Sequence, residues 1–200
     1  MSSEDFWAAG RGFGVVALVM LTLSVVLGVV ARSGRPVLGM ERFAWQRIHR
    51  DAALTATGLV TIHVTSLLFD SYARLRLIDL VMPMIGAYKP FWQGLGTLAV
   101  DILIAVVLTA LTRGWIGQRA FHVVHWATYA LWPISVLHGL GNGTDAGEGW
   151  FIGLTIACCV AVVAVVAWRV GGRFEETASR RRQAMPAGDP RRLVRERSRG

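Results

Sequence analysis

The sequence predicts an all-α integral membrane protein, built as a bundle of about five transmembrane helices. Hydrophobic residues make up 54% of the 200-residue chain and charged residues only 17%, whereas soluble domains carry roughly 25% charged residues. The mean hydropathy is +0.47. The charges cluster, so they leave apolar runs of about the 20 residues that a helix needs to cross a bilayer.

Five such runs follow one another, at about residues 12–31, 48–69, 95–112, 120–140 and 150–170. We divide the chain into a short N-terminal segment (1–11), a transmembrane domain (12–172) and a basic tail (173–200). The composition of the tail, rich in Arg, Glu, Pro and Ser, predicts disorder. The loop 71–94 is long and only weakly polar, and Pro83 interrupts any helix within it. We expect it to form an amphipathic or re-entrant lid at the outer face.

The basic residues predict how the chain is oriented. The segments 32–50 and 113–119, together with the segment from Arg169 to Arg199, contain 17 of the 21 Lys and Arg residues. The positive-inside rule therefore places the N-terminus outside and the C-terminus in the cytoplasm, with the cell membrane as the expected location. The second and fourth runs then cross the membrane in the same direction.

Composition also excludes several classes of function. Ten arginines lie between Arg169 and Arg199, and a basic run beside a transmembrane helix indicates contact with anionic lipid rather than nucleic acid. The chain contains no G-x-G-x-x-G or P-loop sequence, which argues against nucleotide binding. It contains no C-x-x-C-H sequence, which argues against covalently attached haem.

Four of the five histidines form two spaced pairs inside apolar runs. His49 and His63 are 14 residues apart, and His125 and His138 are 13 apart. Ionisable residues at membrane depth are costly and mark functional sites, and imidazole is a common axial ligand of haem iron. Because their two runs are parallel, His49 should face His125 near the inner side and His63 should face His138 near the outer side. The sequence thus predicts two bis-histidine haems b.

Helical phase favours one of these spacings more than the other. On an ideal helix, 14 residues return to within about 40° of the starting face, whereas 13 residues end roughly 140° away. Pro133 lies between His125 and His138. We expect a proline kink to shift the helical phase there.

Two helices with histidine spacings of 14 and then 13 resemble the membrane domain of the ferric reductase and NADPH oxidase superfamily. The stretch 124–145 also resembles short actinobacterial ferric-reductase-like proteins. The resemblance covers about residues 12–170 and implies that His49 and His125 ligate the inner haem iron, and His63 and His138 the outer. Related domains often have six spans, where five are found here. They also carry a flavin and NADPH domain, for which this chain offers no counterpart.

Several further residues are weaker candidates. His122, one turn before His125, is an alternative inner ligand, a propionate contact or a packing residue. Arg47 and Arg50 could form ion pairs with the propionates of the inner haem. The positive-inside rule alone also explains their presence at this end of the run. Asp101 is a candidate proton relay or a partner for a ligand N–H, with a structural hydrogen bond as the alternative. No residue is predicted to be catalytic.

The expected function is that of a b-type cytochrome that carries electrons outward across the membrane. The oxidoreductase component would receive single electrons from a separate flavoprotein, a ferredoxin-like protein or a quinol, and would pass them to an acceptor on the outer side. The alternative is a non-redox scaffold, or a proton or transport subunit, that uses the intramembrane histidines and Asp101.

Overall fold

The computed structural model describes residues 3–33, 39–71 and 73–171, and these residues are predominantly α-helical. The tail at 173–200 lies outside the described residues. A short 3-10 helix spans Leu77–Leu80. The α-helices are α1 (Ser3–Ser33), α2 (Arg42–Leu68), α3 (Pro90–Leu111), α4 (Arg113–Trp126), α5 (Thr128–Asn142) and α6 (Gly149–Gly171).

Four of these helices, α1, α2, α3 and α6, are long and apolar enough to cross a membrane. The remaining expected span, at 120–140, is formed by α4 and α5 in succession, neither of which reaches that length alone. The predicted all-α membrane fold is confirmed. The side of the membrane on which each end lies remains a sequence prediction.

Local sequence explains where the long helices begin and end. Within a bilayer, a helix satisfies all its backbone hydrogen bonds internally, which is why apolar runs adopt it. Glu4 and Asp5 lie in the first turn of α1 and Arg32 in its last, so their charges oppose those of the helix dipole. Pro90 is the first residue of α3, where its missing N–H leaves no hydrogen bond unmade.

The chain between α3 and α5 departs from a single straight helix at two places. Gly117 has φ +82° and interrupts α4 near its start, a conformation that glycine adopts without steric cost. A second irregularity falls at Ala127, whose N–H donates to the carbonyl of Val124 at 2.9 Å. α5 continues through Pro133, which has no N–H to donate to the carbonyl of Tyr129. The hydrogen bond from Ala127 to Val124 winds the chain more tightly than an α-helix and so adds rotation per residue. The 13 residues from His125 to His138 therefore come closer to a whole number of turns, which brings the two side chains nearer to one face.

The helices pack as two antiparallel pairs. α1 packs mainly against α2, and α3 packs mainly against α5, while α1 also contacts α5 and α6. Part of the buried core lies between α1 and α2, where Leu27 and Ala31 meet Trp45 and Ala52. The candidate site lies between these two helix pairs.

The loop between α2 and α3 is fixed by a buried carboxylate. Asp79 is 1% exposed and accepts hydrogen bonds from the Arg76 guanidinium, at 2.7 and 3.1 Å, and from the Arg76 backbone N–H. The hydrogen bond from Arg76 holds the pKa of the Asp79 carboxyl below its usual value. The Thr97 hydroxyl donates to the Asp79 carbonyl at 2.6 Å, which fastens the loop to α3.

Candidate functional site

The structure brings the four spaced histidines together as two pairs. His49 lies beside His125, with ring centroids 6.3 Å apart and ring planes at 82°. His63 lies beside His138, with ring centroids 6.5 Å apart and ring planes at 79°. We call His49 and His125 the basic-side pair, because Arg47 and Arg50 flank His49 and Arg113 and Arg119 precede His125 on α4. We call His63 and His138 the loop-side pair, because the loop between α2 and α3 lies at theirs.

The separation within each pair suits a metal ion held between two imidazoles. A metal–imidazole bond is about 2.1 Å, and a ring nitrogen lies about 1.1 Å from its ring centre, so two imidazoles on opposite sides of one ion have centres roughly 6.4 Å apart. The observed separations are 6.3 and 6.5 Å. In the described part of the chain, no hydrogen bond joins the two rings of either pair.

Three of the four rings are held by backbone carbonyls. Nδ1 of His49 lies 2.9 Å from the carbonyl oxygen of Ser24, and Nδ1 of His63 lies 2.6 Å from that of Gly10. Nδ1 of His138 lies 2.8 Å from the carbonyl oxygen of Trp92. Because a carbonyl can only accept, Nδ1 must donate in each case, and the lone pair of the neutral ring is then on Nε2. This is the usual arrangement of a metal-binding histidine.

His125 is held differently. Its Nδ1 is buried and has no hydrogen-bond partner among the described residues. Its ring stacks on that of Phe121, one turn earlier, with centroids 5.2 Å apart and planes at 29°. Packing rather than a hydrogen bond therefore orients this ring.

A cavity of about 230 Å³ lies at the loop-side pair. Its walls are mostly apolar and come from α1, α2, α3, α5 and the start of α6. Four residues of the loop between α2 and α3 contribute to it, namely Ala73, Leu75, Leu80 and Tyr88. The loop therefore covers the cavity, although as a 3-10 turn and irregular chain rather than as a long amphipathic helix.

Polar groups that the sequence did not single out also line this cavity. Arg11 of α1 forms an ion pair with Asp145, which follows α5. Gln93 is 8% exposed, and its side-chain nitrogen has no hydrogen-bond partner in the described part of the chain. Arg11 and Asp145 are 134 residues apart, so their meeting follows from helix packing and no short motif could have indicated it.

None of the described hydrogen bonds of the weaker candidates joins them to these rings. His122 is exposed, and its Nδ1 donates to the carbonyl of Gln118 on its own helix at 2.7 Å, so His125 is the residue beside His49. Arg47 is exposed, and Arg50 is exposed and paired with Asp51 at 3.3 Å.

The sequence predicts Asp101 as a candidate partner for a ligand N–H. The three Nδ1 groups that have partners donate to backbone carbonyls instead. Asp101 is half-buried on α3, and nothing in the described contacts ties it to a histidine ring.

Comparison with protein families matches residues 13–136 to the family described as "Ferric reductase like transmembrane component". The match covers more than half of the chain and includes His49, His63 and His125, while His138 lies just beyond its end. No curated protein and no solved structure matches the chain.

Proposed function

We propose, because this chain belongs to the ferric reductase-like transmembrane family, that it transfers single electrons across a membrane through two haems b. Family membership indicates a membrane electron-transfer module. The haems, their ligands, the donor and the acceptor are the proposed part.

The ring separation within each pair is the observation that carries this proposal. Two pairs of imidazoles from parallel helices lie at the distance expected for opposite ligands of one ion, as calculated above. At roughly 1.5 Å of rise per residue, the 14 residues between His49 and His63 place the two pairs about 20 Å apart along α2. The arrangement would therefore hold two redox centres in opposite halves of the membrane.

Each group of residues has a distinct proposed role. His49 and His125 would hold one haem iron, and His63 and His138 the other. A haem with two histidine ligands has no open coordination position, so it supplies one-electron transfer without binding oxygen at the iron. The apolar walls of the loop-side cavity exclude water, and Arg11 offers a cation to a haem propionate.

The proposed donor acts on the basic side and is a separate flavoprotein, a ferredoxin-like protein or a quinol. The proposed acceptor acts on the loop side, and the proposed location is the cell membrane. The Arg-rich C-terminal segment is proposed to bind anionic lipid headgroups.

The first test is a dithionite-reduced minus oxidised absorption spectrum of the purified protein, with a pyridine haemochrome count. The expected result is two low-spin, six-coordinate haems b per chain. A folded protein that contains no haem, after expression with adequate haem supply, would contradict the proposal and favour the scaffold or transport alternative.

A second test asks whether electrons cross the bilayer. Proteoliposomes that contain ferricyanide receive dithionite outside, with valinomycin and potassium present to balance charge. The native chain should reduce the trapped ferricyanide. The His63→Ala variant should lose this activity, whereas His122→Ala, which changes an exposed histidine, should retain it.

A further inference from the structure

Three of the four histidine rings use the same feature of the helix that they contact. In each case the accepting carbonyl lies four residues before a glycine. These carbonyl and glycine positions are Gly10 and Gly14, Ser24 and Gly28, and Trp92 and Gly96. We call each combination of a helical carbonyl and the glycine four residues later a glycine notch.

The missing side chain is what allows each ring to reach its carbonyl. A Cβ built at Gly14 would lie 2.8 Å from Nδ1 of the bound ring, and one built at Gly96 would lie 2.6 Å from Cε1. At Gly28, the nearest ring atom would be 3.2 Å away. In a helix, the N–H of residue i+4 already donates to the carbonyl of residue i. A glycine at i+4 leaves that carbonyl open on one side to accept a second hydrogen bond.

The register of the notches matches that of the histidines. Gly14 and Gly28 are 14 residues apart on α1, as His63 and His49 are on α2. Because α1 and α2 are antiparallel, each notch meets one ring. The third notch, at Gly96 on α3, receives His138 of α5.

We propose that Gly14, Gly28 and Gly96 are positioning residues for haem ligation. This inference rests on the proposed function and concerns how the ligands are held. Each notch fixes the ring plane and makes Nδ1 the donor, so that Nε2 carries the lone pair directed to the iron. Hydrogen bonding of the second ring nitrogen also raises ligand basicity.

The fourth ligand has no such support in the described residues. Nδ1 of His125 is without a partner. Fourteen residues after Gly96, where a fourth notch would fall on α3, the chain has Ala110. The chain therefore assigns two notches to the loop-side pair and one to the basic-side pair.

The test compares Gly14→Ala, Gly28→Ala and Gly96→Ala with two matched controls. The controls are Gly12→Ala on α1, the helix that carries the notches at Gly14 and Gly28, and Gly58→Ala on α2. An added Cβ meets nothing within 4 Å at either control position. Each purified variant is examined by electron paramagnetic resonance of the two ferric haems, by redox titration of each haem, and by haem transfer to an excess of a high-affinity apo-haem protein.

Gly14→Ala and Gly96→Ala should shift the resonance and potential of the loop-side haem alone. Gly28→Ala should shift those of the basic-side haem alone. The affected haem should be retained about 10- to 100-fold less tightly, as is typical when the outer partner of a metal ligand is lost. The smallest change is expected at Gly28, where the added atom is furthest from the ring. Both controls should match the native protein.

Two results would overturn the inference. One is a native protein with two haems in which all three notch variants leave both haem signals unchanged. The other is a variant in which both haems change equally, because that would indicate general destabilisation of the bundle. If Gly96→Ala fails to fold, the milder Gly28→Ala decides the question. Absence of haem from the native protein would instead be a failure of the proposed function.

Discussion

The two histidine pairs share one ring geometry but differ in what holds the rings. Their centroid separations are 6.3 and 6.5 Å, and their interplanar angles are 82° and 79°. On the loop side, both Nδ1 atoms are bonded to carbonyls and the pair adjoins an apolar cavity. On the basic side, only His49 has such a bond, and the His125 ring rests on Phe121. Helix pairing therefore sets the separation of the rings, while the glycine notches set how firmly each ring is held.

The largest expected effect is loss of a haem, and it tests the pairing itself. His63→Ala should lower the haem count from two to about one, because one axial ligand of the loop-side iron is removed. Adding His138→Ala should lower it no further, whereas adding His49→Ala should remove the second haem. His122→Ala should retain both. A pyridine haemochrome count distinguishes these cases, and a further loss in the His63→Ala, His138→Ala double variant would contradict the assignment of the pairs.

The next effect is unequal release of ligands from the two irons. A net hydrogen bond contributes about 1 kcal/mol, or roughly a fivefold change in an equilibrium. His125 lacks the bond that the other three rings make. Carbon monoxide must displace one histidine from a reduced haem iron. A variant without the loop-side ligands, which keeps only the basic-side haem, should therefore bind carbon monoxide at about fivefold lower concentration than a variant that keeps only the loop-side haem. Absorption titrations measure both affinities, and equal affinities would show that the notches do not restrain the ligands.

One hydrogen bond between helices lies midway between the two histidine pairs, so its loss should affect both pairs equally. The Trp132 indole donates to the Thr22 hydroxyl at 2.9 Å and so joins α5 to α1. Thr22→Val should lower the free energy of unfolding by about 1 kcal/mol, as is typical for such bonds in membranes. Thermal unfolding in detergent measures the loss.

The control for this change is Thr109→Val. The Thr109 hydroxyl bonds carbonyls of its own helix, so its loss should have a smaller effect. A Thr22→Val variant in which only one haem signal moves would show that this contact belongs to one pair.

The smallest effect concerns the loop over the loop-side cavity. The hydrogen bond from Arg76 lowers the pKa of Asp79. A depressed carboxyl pKa contributes stability that is present above the unfolded value of roughly 3.9 and is lost as pH falls through the folded value. The protection of residues 77–82 against hydrogen exchange, relative to the intrinsic rate at each pH, should therefore fall below about pH 4 in the native chain. In Asp79→Asn the protection of the same residues should already be lower at neutral pH and should change little on acidification.

The controls for the pH prediction lie elsewhere in the molecule. The protection factors of the α1 and α2 backbone should not change over the same pH range. Fast exchange of the loop in the native chain at neutral pH would contradict the role assigned to the Arg76–Asp79 contact.

The sequence predicted the helical membrane fold and the family, because long apolar runs and histidine spacings are local patterns. It did not indicate the irregularity in the fourth run at Ala127, six residues before Pro133. Proline is visible in the sequence, whereas the switch to i→i−3 hydrogen bonding at Ala127 has no residue signature.

The support for the rings was also partly visible in the sequence. The 14-residue spacing of Gly14 and Gly28 repeats that of His49 and His63, and this correspondence could have indicated the notches. The contacts of His138 with α3 and of Arg11 with Asp145 join distant parts of the chain. They depend on how the helices pack, which no spacing in the sequence specifies.

The loop-side cavity also constrains the order in which the protein can be assembled. Its lining extends from Trp7 of α1 to Phe151 of α6, and the ion pair between Arg11 and Asp145 joins early and late parts of that wall. During synthesis from the N-terminus, His63 therefore emerges long before the surfaces that complete its surroundings. A nascent chain shorter than about 150 residues does not contain the whole cavity, so its complete form belongs to the finished bundle.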